Sequence, residues 1–392
     1  MKLKSLLLGT AMLALAFTAW AADPALKTQP QMAGNGSILE TENGFPYPTY
    51  EEWLEPGRGE MKFDEARVRA QFPPDKFQEF KDKLPTKANT YEEFLALAKR
   101  RFETMAEKRP EIEAEMRRAC SPELFRDFKE TVDCQRIHYA SDGLKIRGFI
   151  LKPRSLPAGR LPAIIYNHGG NPRVGIIDDA KLMHLTWLVR AGYVVVASQY
   201  RGGGGSEGND EMGGADVADV LNLIPLIGSL PYADAGSIGM LGWSRGGMMT
   251  YLTLSRSSRI AAAVIGAGPT DLFAELKRRP VMESLLERSV PDYAGNKEAA
   301  LKARSAQFWP DKLCQTTPIL LLQGSDDQSC VPRSALDMAL LLQQSKRPFR
   351  LIFFESGSHD LREHTDEVNQ QTLRWFEKYL RRQTAETGPD PN

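Results

Sequence analysis

The sequence predicts an α/β fold: a mostly parallel sheet with helices on both faces, preceded by a helical N-terminal extension. Three observations carry the prediction. Apolar runs of strand length recur at 161–168, 193–198, 237–241, 318–324 and 349–354, with room for helices between them. The run at 237–241 leads into Gly242-x-Ser244-x-Gly246, and the apolar stretch 247–254 can continue from there as a buried helix. Residues 61–134 are rich in charge and carry helical rather than strand patterning.

The elements follow in chain order. Lys2 and Lys4 precede the apolar stretch Leu6–Ala19, and Ala19-Trp20-Ala21 is an A-x-A cleavage site. Residues 1–21 therefore read as a secretory signal peptide, too short in its apolar part for a membrane span. The mature chain of 371 residues is expected to be exported, periplasmic or secreted, with no membrane partner. Residues 22–60 are rich in Pro, Gly and Asn and read as a poorly ordered arm. Its aromatic stretch Phe45–Tyr50 and Trp53 is a candidate lid over the site, or a clamp on the surface. In the helical extension 61–134, Thr90 is a capping residue before early acids and an apolar face, and 111–120 continues in the same manner.

The catalytic domain is read as 135–382, with 383–392 as a disordered tail. G-x-S-x-G between a strand and a helix matches the nucleophile elbow of an α/β-hydrolase, which makes Ser244 the candidate nucleophile. The glycines are needed because the turn crowds the backbone. A serine needs a base, and the base needs an orienting acid, in the order Ser, acid, His in this fold. Of five histidines only His359 and His364 follow Ser244. His359 sits just past the run 349–354, at a strand's carboxyl end, where such sites lie; His364 reads as a solvated residue. The acid is Asp326 or Asp327, both just past the run 318–324, and the other is a turn residue. His168-Gly169-Gly170 closes the run 161–168 and resembles an HG-type oxyanion loop. Backbone N–H groups of Gly169 and Gly170 would act with that of Arg245. His168 itself either serves the loop or packs at the strand end.

Composition excludes several classes. Formal net charge is zero, and −2 once Lys2 and Lys4 are removed, so neither nucleic acid nor an anionic membrane is indicated. Four cysteines occur without metal-ligand spacing, so no metal is expected. Cys120 and Cys134 flank a short connection and could pair; Cys314 and Cys330 lie at opposite ends of a strand and are harder to join. Gly203-x-Gly205-x-x-Gly208 matches a dinucleotide fingerprint, but Glu207, Asp210 and Glu211 crowd it with negative charge and the next helix starts too late. No cofactor is expected.

Several motifs at their separations then agree with one family. They are His168-Gly-Gly-Asn171, Tyr200-Arg201-Gly202, Gly214-Ala-Asp216-Val-Ala-Asp219, Gly242-Trp-Ser-Arg-Gly-Gly247, Gly324-Ser-Asp-Asp327 and Ser358-His359. From about 135 to 382 the chain resembles the catalytic domain of the prolyl oligopeptidase family of serine peptidases. The resemblance implies Ser244 as nucleophile, Asp327 as acid and His359 as base. It departs from the family in an extra residue between Asp327 and Val331, in Asp360 where a glycine is common, and in having no β-propeller upstream. Tyr200, Arg201 and Trp243 are read as substrate-binding, with an ion pair to Asp216 or Asp219 as the other reading of Arg201. The expected reaction is acyl transfer from a peptide to water. A carboxylesterase on the same triad, or a non-catalytic binding protein on this scaffold, are the alternatives.

Overall fold

This computed structural model describes residues 34–58, 63, 65–71, 73–80, 88–172 and 174–381. The signal peptide read at 1–21 and the tail read at 383–392 lie outside the described residues. The chain divides into two compact units, residues 46–126 and residues 30–45 with 127–392, apart from the N-terminal 29 residues.

The larger unit is built on one nine-stranded sheet. Its strands are β1 (Ile38–Asn43), β2 (Val132–Ser141), β3 (Leu144–Pro153), β4 (Leu161–Asn167), β5 (Val194–Ser198), β6 (Ala233–Trp243), β7 (Ala262–Gly266), β8 (Ile319–Gly324) and β9 (Phe349–Phe354). The order across the sheet is β1-β2-β3-β5-β4-β6-β7-β8-β9. From β5 to β9 every pairing is parallel; β1, β2 and β3 add antiparallel at one edge. Continuous apolar sequence explains the centre. β5, β7 and β8 are buried along their whole length, as strands covered by helices on both faces must be. The β2–β3 hairpin turns on Asp142-Gly143, both at positive φ, the two-residue turn whose twist suits a hairpin.

β4 leads outward to β5 on one side, and β6 lies on its other side. The strand order therefore reverses at the β4/β6 pair. In an open α/β sheet such a reversal, outside the carboxyl ends of the strands, is the expected place for a ligand. His168-Gly169-Gly170 leaves β4 and Ser244 leaves β6 at that point.

The helical unit has its own small core of Val68, Phe77, Ala88, Phe94 and Leu95. Helix Tyr91–Glu107 begins with a capping box: Thr90 Oγ1 accepts the Glu93 N–H at 3.1 Å, and Glu93 accepts the Asn89 N–H at 2.7 Å. Helix Arg109–Ala119 follows.

Residues 22–60 need correction within the described part. They are not a featureless arm: Ile38–Asn43 is an edge strand and Tyr50–Arg58 a helix. Every residue of β1 is exposed, so the strand lacks the alternation that reveals a half-buried one. Glu40 lies 3.2 Å from His138 Nδ1 on β2 and forms an ion pair with Lys145 on β3, the next strand. The aromatics read as one lid or clamp also separate. Phe45 packs on Phe128, ring centroids 4.8 Å apart, in the sheet unit. Tyr50 contacts Trp53 and Phe125 inside the helical unit. Strand β2 starts at Val132, three residues before the expected domain start. No disulfide occurs among the described residues: Cys120 donates to Ser121 O, and Cys134 Sγ packs against Gly44.

Candidate active site

The elbow is a point of backbone strain held by its neighbours. Ser244 has φ 57° and ψ −125°, a region almost closed to residues with a Cβ. Its N–H bonds Gly266 O at 2.8 Å, and its carbonyl accepts the N–H groups of Gly247 and Met248 as helix Arg245–Leu254 begins. The flanking glycines are steric necessities. A Cβ on Gly246 would lie 1.9 Å from Asn167 O, and one on Gly242 would lie 2.2 Å from Gly246 O. Arg245 is the first residue of the helix, so its N–H has no carbonyl one turn back to bond.

Gly169 faces the nucleophile. A Cβ there would stand 3.2 Å from Ser244 Cβ and 3.8 Å from Ser244 Oγ. Gly170 has φ 79° and no room for a Cβ, which would meet Val174 O at 1.9 Å. His168 is 2% exposed and stacks on Tyr200 with ring centroids 4.3 Å apart. Its Nδ1 lies 2.8 Å from Gly169 O and 3.0 Å from Gly175 O, so it braces the loop rather than facing solvent. Burial drives its pKa down to about 4, so the ring is neutral at neutral pH.

The acid and base come from the loops after β8 and β9. These loops close on each other at Gly324, where a Cβ would meet Gly357 O at 2.2 Å. Asp327 is 1% exposed, and its Oδ2 lies 2.9 Å from His359 Nδ1. Gln323 Nε2 donates to the same oxygen at 3.0 Å, while Oδ1 accepts the N–H groups of Ser329 and Cys330. Burial works to raise the Asp327 carboxyl, but the hydrogen bond and charge of His359 and the two loop N–H groups outweigh it and hold the group below its ordinary value. Asp326 is exposed, accepts from Ser325 Oγ and donates its N–H to Gly357 O. It is the turn residue, and Asp327 is the one facing His359. Trp243 Nε1 donates to His359 O at 2.9 Å, tying the residue before Ser244 to the histidine loop. Ser244 Oγ lies 4.0 Å from Cys330 Sγ.

Two expectations are corrected. Tyr200 is fully buried, and its hydroxyl donates to His168 O at 3.2 Å, so its ring supports the β4 loop instead of lining a substrate site. Arg201 is 7% exposed and gives its guanidinium to Asp219, at 2.8 Å from Nη2, and to Asp142 at 3.1 Å. Its ion-pair reading prevails, with Asp219 as partner. Asp216 instead receives Arg245 at 2.7 Å, beside Asp210 at 2.6 Å. Trp243 is partly exposed, with its Nε1 bonded to His359 O and its ring over Gly266. Sequence reasoning also missed Cys330 as a neighbour of Ser244. Asp327, Cys330 and His359 each bring one ligand-type atom to within 4.8 Å of the others, but the acid and base already spend Oδ2 and Nδ1 on each other.

A match to the prolyl oligopeptidase family covers residues 180–383, half of the sequence. The chain belongs to that family. It is a family of serine peptidases, so the protein is a hydrolase of that class. Among curated relatives, the uncharacterised peptidase YtmA of Bacillus subtilis is 25% identical over 236 residues, which is 60% of this chain and 89% of YtmA. The acylamino-acid-releasing enzyme of Sus scrofa is 24% identical over 58% of this chain but only 33% of its own length. An acylaminoacyl peptidase solved with a chloromethyl ketone shares the fold with a TM-score of 0.56 at 22% identity, over 64% of this chain and 43% of that one. A puromycin-hydrolysing peptidase of Mycobacterium tuberculosis gives 0.54 at 22% identity, over 63% and 40%. The chain thus spans nearly all of YtmA and less than half of the larger peptidases.

Proposed function

We propose that this family member cleaves peptide bonds through a Ser244–His359–Asp327 triad and a covalent acyl-enzyme. The observation that carries the reading is the Asp327–His359 contact at 2.9 Å, formed beside a strained elbow that presents Ser244 at the strand-order reversal. Asp327 would fix the imidazole with its proton on Nδ1, leaving Nε2 to take the Ser244 proton as Oγ attacks the substrate carbonyl. The tetrahedral oxyanion would be met by the N–H of Arg245 with those of Gly169 or Gly170, donors commonly worth about 3–4 kcal/mol each. His359 would then hand its proton to the leaving amine. Water repeats the sequence in reverse, with His359 again as base, and frees the acid product and Ser244.

Two supports come from the relatives: YtmA bears the name of a peptidase, and the family is one of serine peptidases. Fluorophosphonate labelling tests the reading. Wild type should be labelled and should turn over amide substrates, and Ser244→Ala should lose both with its melting temperature retained. Equal turnover by Ser244→Ala would overturn the covalent route, and turnover of esters without amides would overturn the peptidase assignment. We also propose that the protein is exported, on the strength of Lys2, Lys4, the apolar run 6–19 and Ala19-Trp20-Ala21. N-terminal sequencing of the protein made in its host should begin at Ala22.

A further inference from the structure

The helix Leu272–Arg278 lies outside every motif used so far, yet five hydrogen bonds from it and from Arg279 reach the loop that carries Asp327. Arg278 donates to Asp327 O at 2.6 Å and to Cys330 O at 3.2 Å. Arg279, the next residue, donates to Ser329 O at 2.6 Å. Glu275 Oε1 accepts the Val331 N–H at 2.8 Å. These four end on backbone atoms of residues 327–331, the segment with the extra residue before Val331, and a fifth runs from Arg278 to Gln328 Oε1 at 3.2 Å. A longer loop has more conformations to lose, and these bonds from a rigid helix remove them.

Glu275 has bonding capacity beyond that role. It is 2% exposed, and its Oε2 has no hydrogen-bond partner among the described residues. The charged and titratable groups facing it are Asp327 and Cys330 on the loop, and Arg278 and Arg279 at its own helix end. A second carboxylate set behind Asp327 adds negative potential where His359 must carry a positive charge in the transition state.

We propose that Glu275, Arg278 and Arg279 are positioning residues that clamp the 327–331 loop so that Asp327 stays against His359, with the Glu275 carboxylate favouring the imidazolium. The inference rests on the triad reading above. Burial pushes the Glu275 carboxyl up to about 7, with Asp327 adding to the rise and the Val331 N–H and both arginines opposing it. The charge therefore switches on across neutral pH.

The test is the rate of fluorophosphonate labelling, with kcat and KM on a chromogenic amide, from about pH 5 to about pH 9. Glu275→Gln keeps an acceptor for Val331 N–H and removes the charge. It should match wild type near pH 5.5 and fall behind by roughly threefold to tenfold near pH 8.5, in kcat and not KM. Glu275→Ala removes the acceptor too and should be slower at every pH, with Glu275→Gln restoring the rate on the acid side. A Glu275→Gln profile that tracks wild type throughout would overturn the electrostatic role, and wild-type rates in Glu275→Ala would overturn the clamp. An unlabelled wild type would overturn the triad reading and this inference with it. A labelled wild type whose variants behave identically overturns the inference alone.

Discussion

At the scale of single residues, the acid shows how one atom's surroundings decide a role. Asp326 and Asp327 are neighbours with the same side chain. One is exposed at a turn; the other is buried, accepts two loop N–H groups and faces His359. Asp327→Asn should therefore lower kcat by about 10⁴, because an amide that donates to Nδ1 imposes the wrong tautomer. Asp326→Asn should change kcat by less than about threefold, an effect within what a surface substitution causes. Steady-state kinetics on the two purified variants check both, and a reversed order would move the acid to Asp326. The residues misread from sequence fail for one reason. Tyr200 and Arg201 stand next to a strand end, as site residues do, but chain position does not say which way a side chain points. Tyr200 points into the packing beneath the β4 loop, and Arg201 to Asp219.

Elements rather than residues set the stability consequences of Glu275. Its helix packs Leu272 and Glu275, three residues apart, on its buried face. An acid at such a position is the one sequence signal that could have flagged it. Its pKa is raised in the folded protein, so between about 4.5 and about 7 the folded state holds a proton that the unfolded state has lost. Stability from this group is complete below that window and falls as pH rises through it. Glu275→Gln should accordingly stabilise the fold at about pH 8, by an amount on the order of 1–3 kcal/mol that appears as a higher melting temperature, and change it little at about pH 5. Thermal melts at the two values decide it; equal shifts at both would show that the gain is packing and not charge. The variant would thus be more stable and slower at the same alkaline pH, the usual trade at a site built around a costly charge.

For the whole molecule, most of the parallel centre was legible because β4, β5, β6, β8 and β9 are apolar runs of strand length; the short Ala-rich strand β7, Ala262–Gly266, was not read. Ser244, His359 and the Gly169–Gly170 loop follow directly from such runs. The antiparallel edge was not, because β1 is exposed along its length and carries no pattern to read. The units explain the length of the chain better than an arm did. Residues 46–126 interrupt a sheet unit that holds 30–45 and 127–392. The interruption starts and ends at neighbouring points, since Phe45 packs on Phe128. Chain segments whose ends meet in this way can be exchanged for short linkers. Replacing 46–126 by a Gly/Ser linker of about six residues should leave a sheet unit that folds and is labelled at Ser244. Circular dichroism and fluorophosphonate labelling of that protein check it; an unfolded product would show that the helical unit is required for the sheet.

The same interruption sets a timetable for biosynthesis. β1 leaves the ribosome about 90 residues ahead of β2, its only sheet neighbour among the described residues. At roughly 5–20 residues per second, that is a wait of about 5–20 seconds with its backbone donors and acceptors unpaired. An apolar strand left open for so long would seek other chains on a crowded polysome. Glu40, Thr41, Glu42 and Asn43 give it a surface that water tolerates until the hairpin Val132–Pro153 emerges to receive it.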